Sequence, residues 1–197
     1  MIEAFSKVSE ASKLLLEKGL GPATGGEALR MVGHALGVHR AYIFENRTQG
    51  TYGRFITDLR YAWAEPPTPS ALANPVLRAF SFRDFAPGWV DMLEAGMVVA
   101  CPTLDAPPMM RELLERQGTK SVLLCPINPT RQQWWGVVVF EDCRQPRGWK
   151  PEDVSLLKSL SRAVAASVRH GQMRSSLDQV RNSLRQAINR STPVSGH

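Results

Sequence analysis

The sequence predicts an α+β domain: a largely antiparallel central sheet, terminal helices packed on one face, and a mid-chain loop with short helices covering the other. Three observations predict it. Segments of helical periodicity stand at both ends of the chain, and paired apolar runs with turn residues between them lie at 40–65 and 121–140. The run "WWGVVVF" (134–140) is apolar on both of its alternating faces. A strand of that kind is central and covered on both sides. Paired runs joined by short turns are hairpins, here expected at both ends of the sheet.

The elements follow in order. Residues 2–18 carry Ala4, Val8, Ala11, Leu14 and Leu15 near helical spacing and stop at Gly19. "GLGPATGG" (19–26) reads as a loop. "EALRMVGHALG" (27–37) reads as a helix with Ala28, Leu29, Val32 and Leu36 on one face and Gly37 as its stop. "RAYIFENR" (40–47) and "RFITDLRYAWAE" (54–65) are strands, with "TQGTYG" supplying the turn between them. The stretch 66–88 contains "PPTPSALANP" and "FAPG", and Phe80, Phe82 and Phe85 mark it as an ordered loop rather than a linker. A short helix (88–97), a short strand (98–104) and a helix with prolines at its start (107–118) come next. "SVLLCPI" and "WWGVVVF" are strands joined by "NPTRQQ". The last helix begins at "KPEDVSLLKSL", with Pro151 in its first turn and Glu152 and Asp153 at the positive end of its dipole. It extends to about residue 190, and from His170 it carries a heptad of Met173, Leu177, Val180, Leu184 and Ala187.

Composition narrows the function classes. The chain has 197 residues, 21% charged and 43% hydrophobic, which suits one folded domain rather than a disordered chain. No apolar stretch follows a basic start, and no run approaches the ~20 residues of a membrane helix. A cytoplasmic protein without membrane contact is expected. Cys101, Cys125 and Cys143 form no Cys-x-x-Cys pair and no cluster with histidine, so neither zinc nor an iron–sulfur cluster is expected. Of the net charge of +6, residues 169–197 contribute +4 through five arginines against Asp178. That basic tail lacks interleaved aromatics or a groove-reading motif, so the charge does not point to nucleic acid.

Six blocks then stand in a recognisable order: "GVHRAYIFEN", "YAWAE", Trp89 with Leu93 and Gly96, "LLERQGTKSVLLCPI", "QQWWGVVVFEDC" and "WKPEDVSLL". Together they resemble a GAF domain of the type found in bacterial sensor histidine kinases and diguanylate cyclases. The resemblance covers residues from about 10 to 170. It implies a sheet of about six strands, with the first and last helices on one face and a small-molecule pocket under loops on the other. It also implies a final helix that passes a signal to an output partner, often in a homodimer. Residues 1–168 would be the GAF domain and 169–197 a basic helical extension and tail. Relatives that attach a bilin covalently use a cysteine beside a histidine in the helix before the last two strands. "PPMMRELLERQG" has neither, so no covalent bilin is expected.

Alternation places Trp135, Val137, Val139 and Glu141 on one face, and Trp134, Gly136, Val138 and Phe140 on the other. By analogy with chromophore-binding relatives, the first set faces the pocket together with Tyr42, Phe44, Val122 and Leu124, and Trp89 belongs to a lid. Gly136 would let a helix approach. The four dimer-helix positions are Met173, Leu177, Val180 and Leu184. No residue is assigned a catalytic or metal role. Glu141, Asp142 and Cys143 are consecutive, and alternation splits them between faces. His34 and His39 have no second ligand nearby in sequence. Arg111, Glu112, Glu115 and Arg116 stand at helical spacings that make surface pairs. The leading expectation is a non-enzymatic sensory module for an unidentified small molecule. The alternatives are a ligand-free dimerisation scaffold, and a cysteine-based redox sensor or methionine sulfoxide reductase-like enzyme.

Overall fold

A computed structural model describes residues 2–49, 54–70 and 74–191. Helix α1 (Ile2–Lys18) buries Ala4, Val8, Ala11 and Leu15, one stripe along its length. Helix α2 (Pro22–Leu36) starts earlier than the sequence suggests, inside the stretch read as a loop. Pro22 suits the first helical position because its ring presets φ and no N–H is lost there. The Gly21 N–H donates to Thr24 Oγ1 at 2.8 Å, which secures the first turn. Two glycines inside α2 have a packing reason. A Cβ on Gly25 would lie 2.6 Å from the Tyr61 ring, and one on Gly33 would lie 2.3 Å from the Trp63 ring. The helix therefore rests directly on these two aromatics of the sheet's outer strand.

The sheet has five strands among the described residues, all antiparallel, in the order β2-β1-β5-β4-β3. They are β1 (Arg40–Gln49), β2 (Arg54–Ala64), β3 (Val99–Pro102), β4 (Ser121–Ile127) and β5 (Gly136–Asp142). The turn expected between β1 and β2 falls at 50–53, outside the described residues. Two expectations need correction. The β4–β5 pair lies inside the sheet, because the short β3 takes the edge beside β4. Five strands stand where about six were implied. Beyond β2 the described residues add a one-residue bridge, in which Thr57 and Phe80 exchange backbone bonds of 2.9 and 3.2 Å.

Two cores result, one on each face. Against α1, α2 and the last helix lie Ala41, Ile43, Leu123, Cys125, Val138 and Phe140. On the opposite face Tyr42, Phe44, Val122, Leu124, Val137 and Val139 pack against helices α3 (Phe82–Phe85), α4 (Pro87–Glu94) and α5 (Pro108–Arg116). On the outside of α5, Arg111 pairs with Glu115 and Arg116 with Glu112, the surface pairing that the spacing predicts.

Helix α6 (Pro151–Ser191) is 41 residues long. Asp153 accepts the Lys150 N–H at 3.1 Å and lies 3.2 Å from Arg147. Arg147 also stacks on Trp149, 4.8 Å from the ring centroid, and donates to the Leu36 carbonyl at 2.9 Å. One arginine thus ties the end of α2 to the start of α6. Leu156, Leu157, Leu160, Val164 and Val168 enter the helix-side core, and Ser167 Oγ donates to the Leu15 carbonyl at 2.9 Å. Val168 is the last buried residue among those described, and Met173, Leu177, Val180 and Leu184 are all more than half exposed. No helix among the described residues is long and apolar enough to cross a membrane.

Candidate functional site

The cavity face of the sheet supplies one wall, and α3–α5 with the turn Pro75–Arg78 supply the other. Of the nine residues expected at a pocket, Tyr42, Phe44, Trp89, Val122, Leu124, Val139 and Glu141 line one cavity. Val137 is fully buried in the same cluster but does not reach the cavity wall. Trp135 is a correction: it packs with the helix-side core, while Trp134 packs with the cavity-side core.

The cause is Gly136. A Cβ there would fall 2.0 Å from the Phe44 carbonyl oxygen, so its side-chain direction runs within the sheet toward β1. Alternation cannot be counted through such a residue, and Trp135 and Val137 fall on opposite faces. The close approach at Gly136 comes from a neighbouring strand and not from a helix. Next to it, β2 carries a bulge: Ile43 pairs with Tyr61 and Phe44 with Leu59, leaving Arg60 over.

The cavity wall also includes Leu77, Phe80, Phe82, Met110, Leu113 and Leu114. Phe80 is the hub of an aromatic cluster, 5.8 Å from Phe44, 5.3 Å from Phe82 and 5.7 Å from Phe85 between centroids. Such edge and tilted pairs add modestly to burial. The enclosed volume is about 30 Å³, room for about one water molecule.

One end of the cavity is polar. Glu141 Oε2 accepts from Tyr42 Oη at 3.0 Å and Thr119 Oγ1 at 3.1 Å, and lies 3.1 Å from Arg40 Nε. Both charged side chains are only 4% exposed. Arg40 Nη2 donates to the Gln117 carbonyl at 2.6 Å, and Arg40 Nε and Nη2 lie 3.2 and 3.0 Å from Cys143 Sγ. Burial pushes the Glu141 carboxyl above the usual carboxylate range, while Arg40, Tyr42 and Thr119 pull it back. Burial likewise raises the Tyr42 hydroxyl well above its ordinary value, and the Glu141 charge adds to that. Gln117 lines the same end, and its buried Oε1 has no hydrogen-bond partner.

Spacing alone missed Arg40. The signal was available, since Arg40, Tyr42 and Phe44 alternate onto one face of β1. Glu141 and Cys143 both reach Arg40. Asp142, between them, instead lies 3.4 Å from His39 Nδ1, which accepts the Cys143 N–H at 3.2 Å. His34 sits 3.0 Å from Glu65 and 4.9 Å from the Trp63 ring. Cys101 belongs to the cavity-side core and Cys125 to the helix-side core. No group of three or more potential ligands for a metal ion occurs among the described residues.

Comparison with known proteins agrees with this architecture. The GAF domain family model matches residues 25–168. The methanogenesis regulatory histidine kinase FilI of Methanothrix harundinacea (strain 6Ac) is 26% identical over 162 residues, 82% of this chain and 18% of the kinase. The circadian input-output histidine kinase CikA of Thermosynechococcus vestitus (strain NIES-2133 / IAM M-273 / BP-1) is 31% identical over 87 residues, 44% of this chain and 12% of that protein. The chain therefore spans less than a fifth of the length of these relatives. Among solved structures, the phycocyanobilin-bound GAF domain of a cyanobacterial phytochrome superposes with a TM-score of 0.69 at 14% identity, covering 87% of this chain and 96% of that one. The phycoerythrobilin-bound form gives 0.71 at 12% identity, covering 88% and 98%. At such identities these likenesses show the fold. The family model spans most of the chain and the sheet, faces and helices agree with it: the protein belongs to the GAF domain family.

Proposed function

We propose that this GAF domain is a non-enzymatic, cytoplasmic sensory module for a small ligand, working as a homodimer whose C-terminal helix signals to an output partner. The observation that carries the reading is the cavity itself. Its walls are aromatic and apolar, and its polar groups converge at one end, on Glu141, Tyr42 and Gln117. That is the usual constitution of a small-molecule site. Tyr42, Phe44, Trp89, Val122, Leu124, Val139 and Glu141 would contact the ligand, with Val137 behind them. The volume of about 30 Å³ is far below the several hundred Å³ such sites occupy. Binding therefore requires α3 and α4 to move outward, and the ligand acts through its differential affinity for the two arrangements. The helix α5 reads Pro-Met-Met-Arg-Glu-Leu-Leu-Glu-Arg and lacks a cysteine beside a histidine, so a covalently attached bilin is not the ligand proposed.

The test is a thermal-shift screen of a metabolite collection with native mass spectrometry of the protein as purified. A ligand present at a hundred times its Kd should add about 2.7 kcal/mol of stability. Loss of that shift in Trp89→Ala and Leu124→Ala locates the ligand in the cavity. If no compound shifts the protein and no mass is retained, the sensing reading fails.

The closed volume favours a second reading, a scaffold that dimerises without a ligand. In that case the stripe Met173, Leu177, Val180 and Leu184 makes the dimer, and a chain ending at His170 is a folded monomer. A thiol enzyme has less support. Cys101 and Cys125 lie on opposite faces of the sheet, and burial raises all three thiols above their ordinary range.

A further inference from the structure

The irregularities at Gly136 and Arg60 aim side chains into a place that the cavity reading does not use. On the helix side, where α1 ends and α6 leaves the body, lies an open groove of about 660 Å³. Trp135, turned to this face by Gly136, and Tyr61, next to the bulge, contribute aromatic surface to it, and Leu16 and Met173 add apolar surface. Leu16 is 47% and Met173 58% exposed. A bulge that re-aims side chains is a recurrent device beside binding sites.

The charge around the groove is lopsided. Glu45 is engaged by Arg60 at 3.0 Å, and Glu17 lies 3.8 Å from Lys13. Lys18 of α1 and Arg174 of α6 line it as well, and neither has a carboxylate partner among the described residues. Glu17 and Glu45 also line the groove, so with Lys18, Arg60 and Arg174 it carries three cations against two carboxylates, a net +1. Beside the two aromatic rings, this charge complements a molecule with a flat apolar body and one negatively charged head. The volume lies in the range of small-molecule sites.

We propose that this groove is a second ligand site, specific for a small amphipathic anion, with Trp135 and Tyr61 holding its body and Lys18 and Arg174 its head. The two cations come from α1 and α6, so a bound anion ties the helices together just beyond their last link, the Ser167–Leu15 hydrogen bond. The site is independent of the cavity across the sheet, but it shares Met173 and Leu177 with the stripe offered for the dimer, so a dimer formed through that stripe excludes it.

The experiment uses the full chain with 4-phenylbutyrate as probe and 4-phenylbutanol as its neutral match. The five tryptophans each give one indole N–H signal by NMR, and Trp135→Phe and Trp89→Phe assign the two that matter. The acid should move the Trp135 signal and leave that of Trp89 in place. Binding of the acid should weaken about tenfold in the Lys18→Ala, Arg174→Ala double variant, while the alcohol binds weakly and equally to both proteins. Equal affinity for acid and alcohol overturns the proposal, as does a response confined to Trp89. Failure to saturate by about 10 mM, weaker than a specific site, overturns it too. So does sedimentation showing a dimer in which the Trp135 signal no longer responds, because a second copy then fills the groove.

Discussion

At Gly136 the direction a side chain would take points along the sheet, and a Cβ would meet the Phe44 carbonyl oxygen at 2.0 Å. That oxygen belongs to the backbone of a central strand and cannot rotate away. Gly136→Ala should therefore destabilise the protein by about 3 kcal/mol, at the upper end of overpacking effects, read from denaturant unfolding. The buried Arg40–Glu141 pair is as demanding in another way. Arg40→Ala leaves the Glu141 carboxyl buried without its cation and should cost about 3–5 kcal/mol. Arg40→Met with Glu141→Leu should also destabilise, because the buried Tyr42 and Thr119 hydroxyls lose their acceptor. The thiols give a third expectation. Each is raised by burial, so at pH 8 iodoacetamide should label the folded chain more slowly than the unfolded one, with the half-buried Cys143 reacting first. Alternation read from the sequence placed Glu141 correctly and Trp135 wrongly. Both results follow from one rule, which holds on the C-terminal side of Gly136 and lapses through it. The partner of Glu141 stayed hidden because Arg40 lies 101 positions away, and spacing reports only local neighbours.

The central strands β4 and β5 were legible as apolar runs, β1 and β2 by the turn residues between them, and β4 has its sequence-predicted bounds, Ser121–Ile127. The start of α2 was not legible, since Gly25 and Gly26 read as loop residues. The helix-weakening effect of Gly25 and of Gly33, about 1 kcal/mol each, is offset by packing against rings on another element, Tyr61 and Trp63. Gly33→Ala should consequently destabilise the fold despite its better helix propensity, because the ring of Trp63 would have to move. Calorimetry of that variant decides the sign. Helix α6 divides at Val168 into a packed half and an exposed half. If the exposed stripe is the dimer contact, Leu177→Asp with Leu184→Asp should give a monomer by sedimentation with an unchanged unfolding midpoint extrapolated to low concentration. A dimer that survives places the contact elsewhere.

Across the whole molecule, the sheet separates two packing systems of different firmness. The helix side is knitted by Arg147, Ser161 and Ser167 to distant carbonyls. On the cavity side, the segment leading into α3 is joined to the edge of the sheet, among the described residues, by the one-residue Thr57–Phe80 bridge. Amides of α3 and α4 should thus exchange with solvent faster than those of β4 and β5, and a cavity ligand should slow them selectively. Uniform protection would point to binding elsewhere. The division of α6 has a mechanical consequence as well. Residues 169–191 form an arm that continues α6 past Val168. At a rise of 1.5 Å per residue this arm is about 35 Å long, so a tilt of about 5° at Val168 swings its far end by about 3 Å. Side chains around Val168 and Leu15 act as a fulcrum, where adjustments of a few tenths of an ångström are magnified into displacements the size of a side-chain contact.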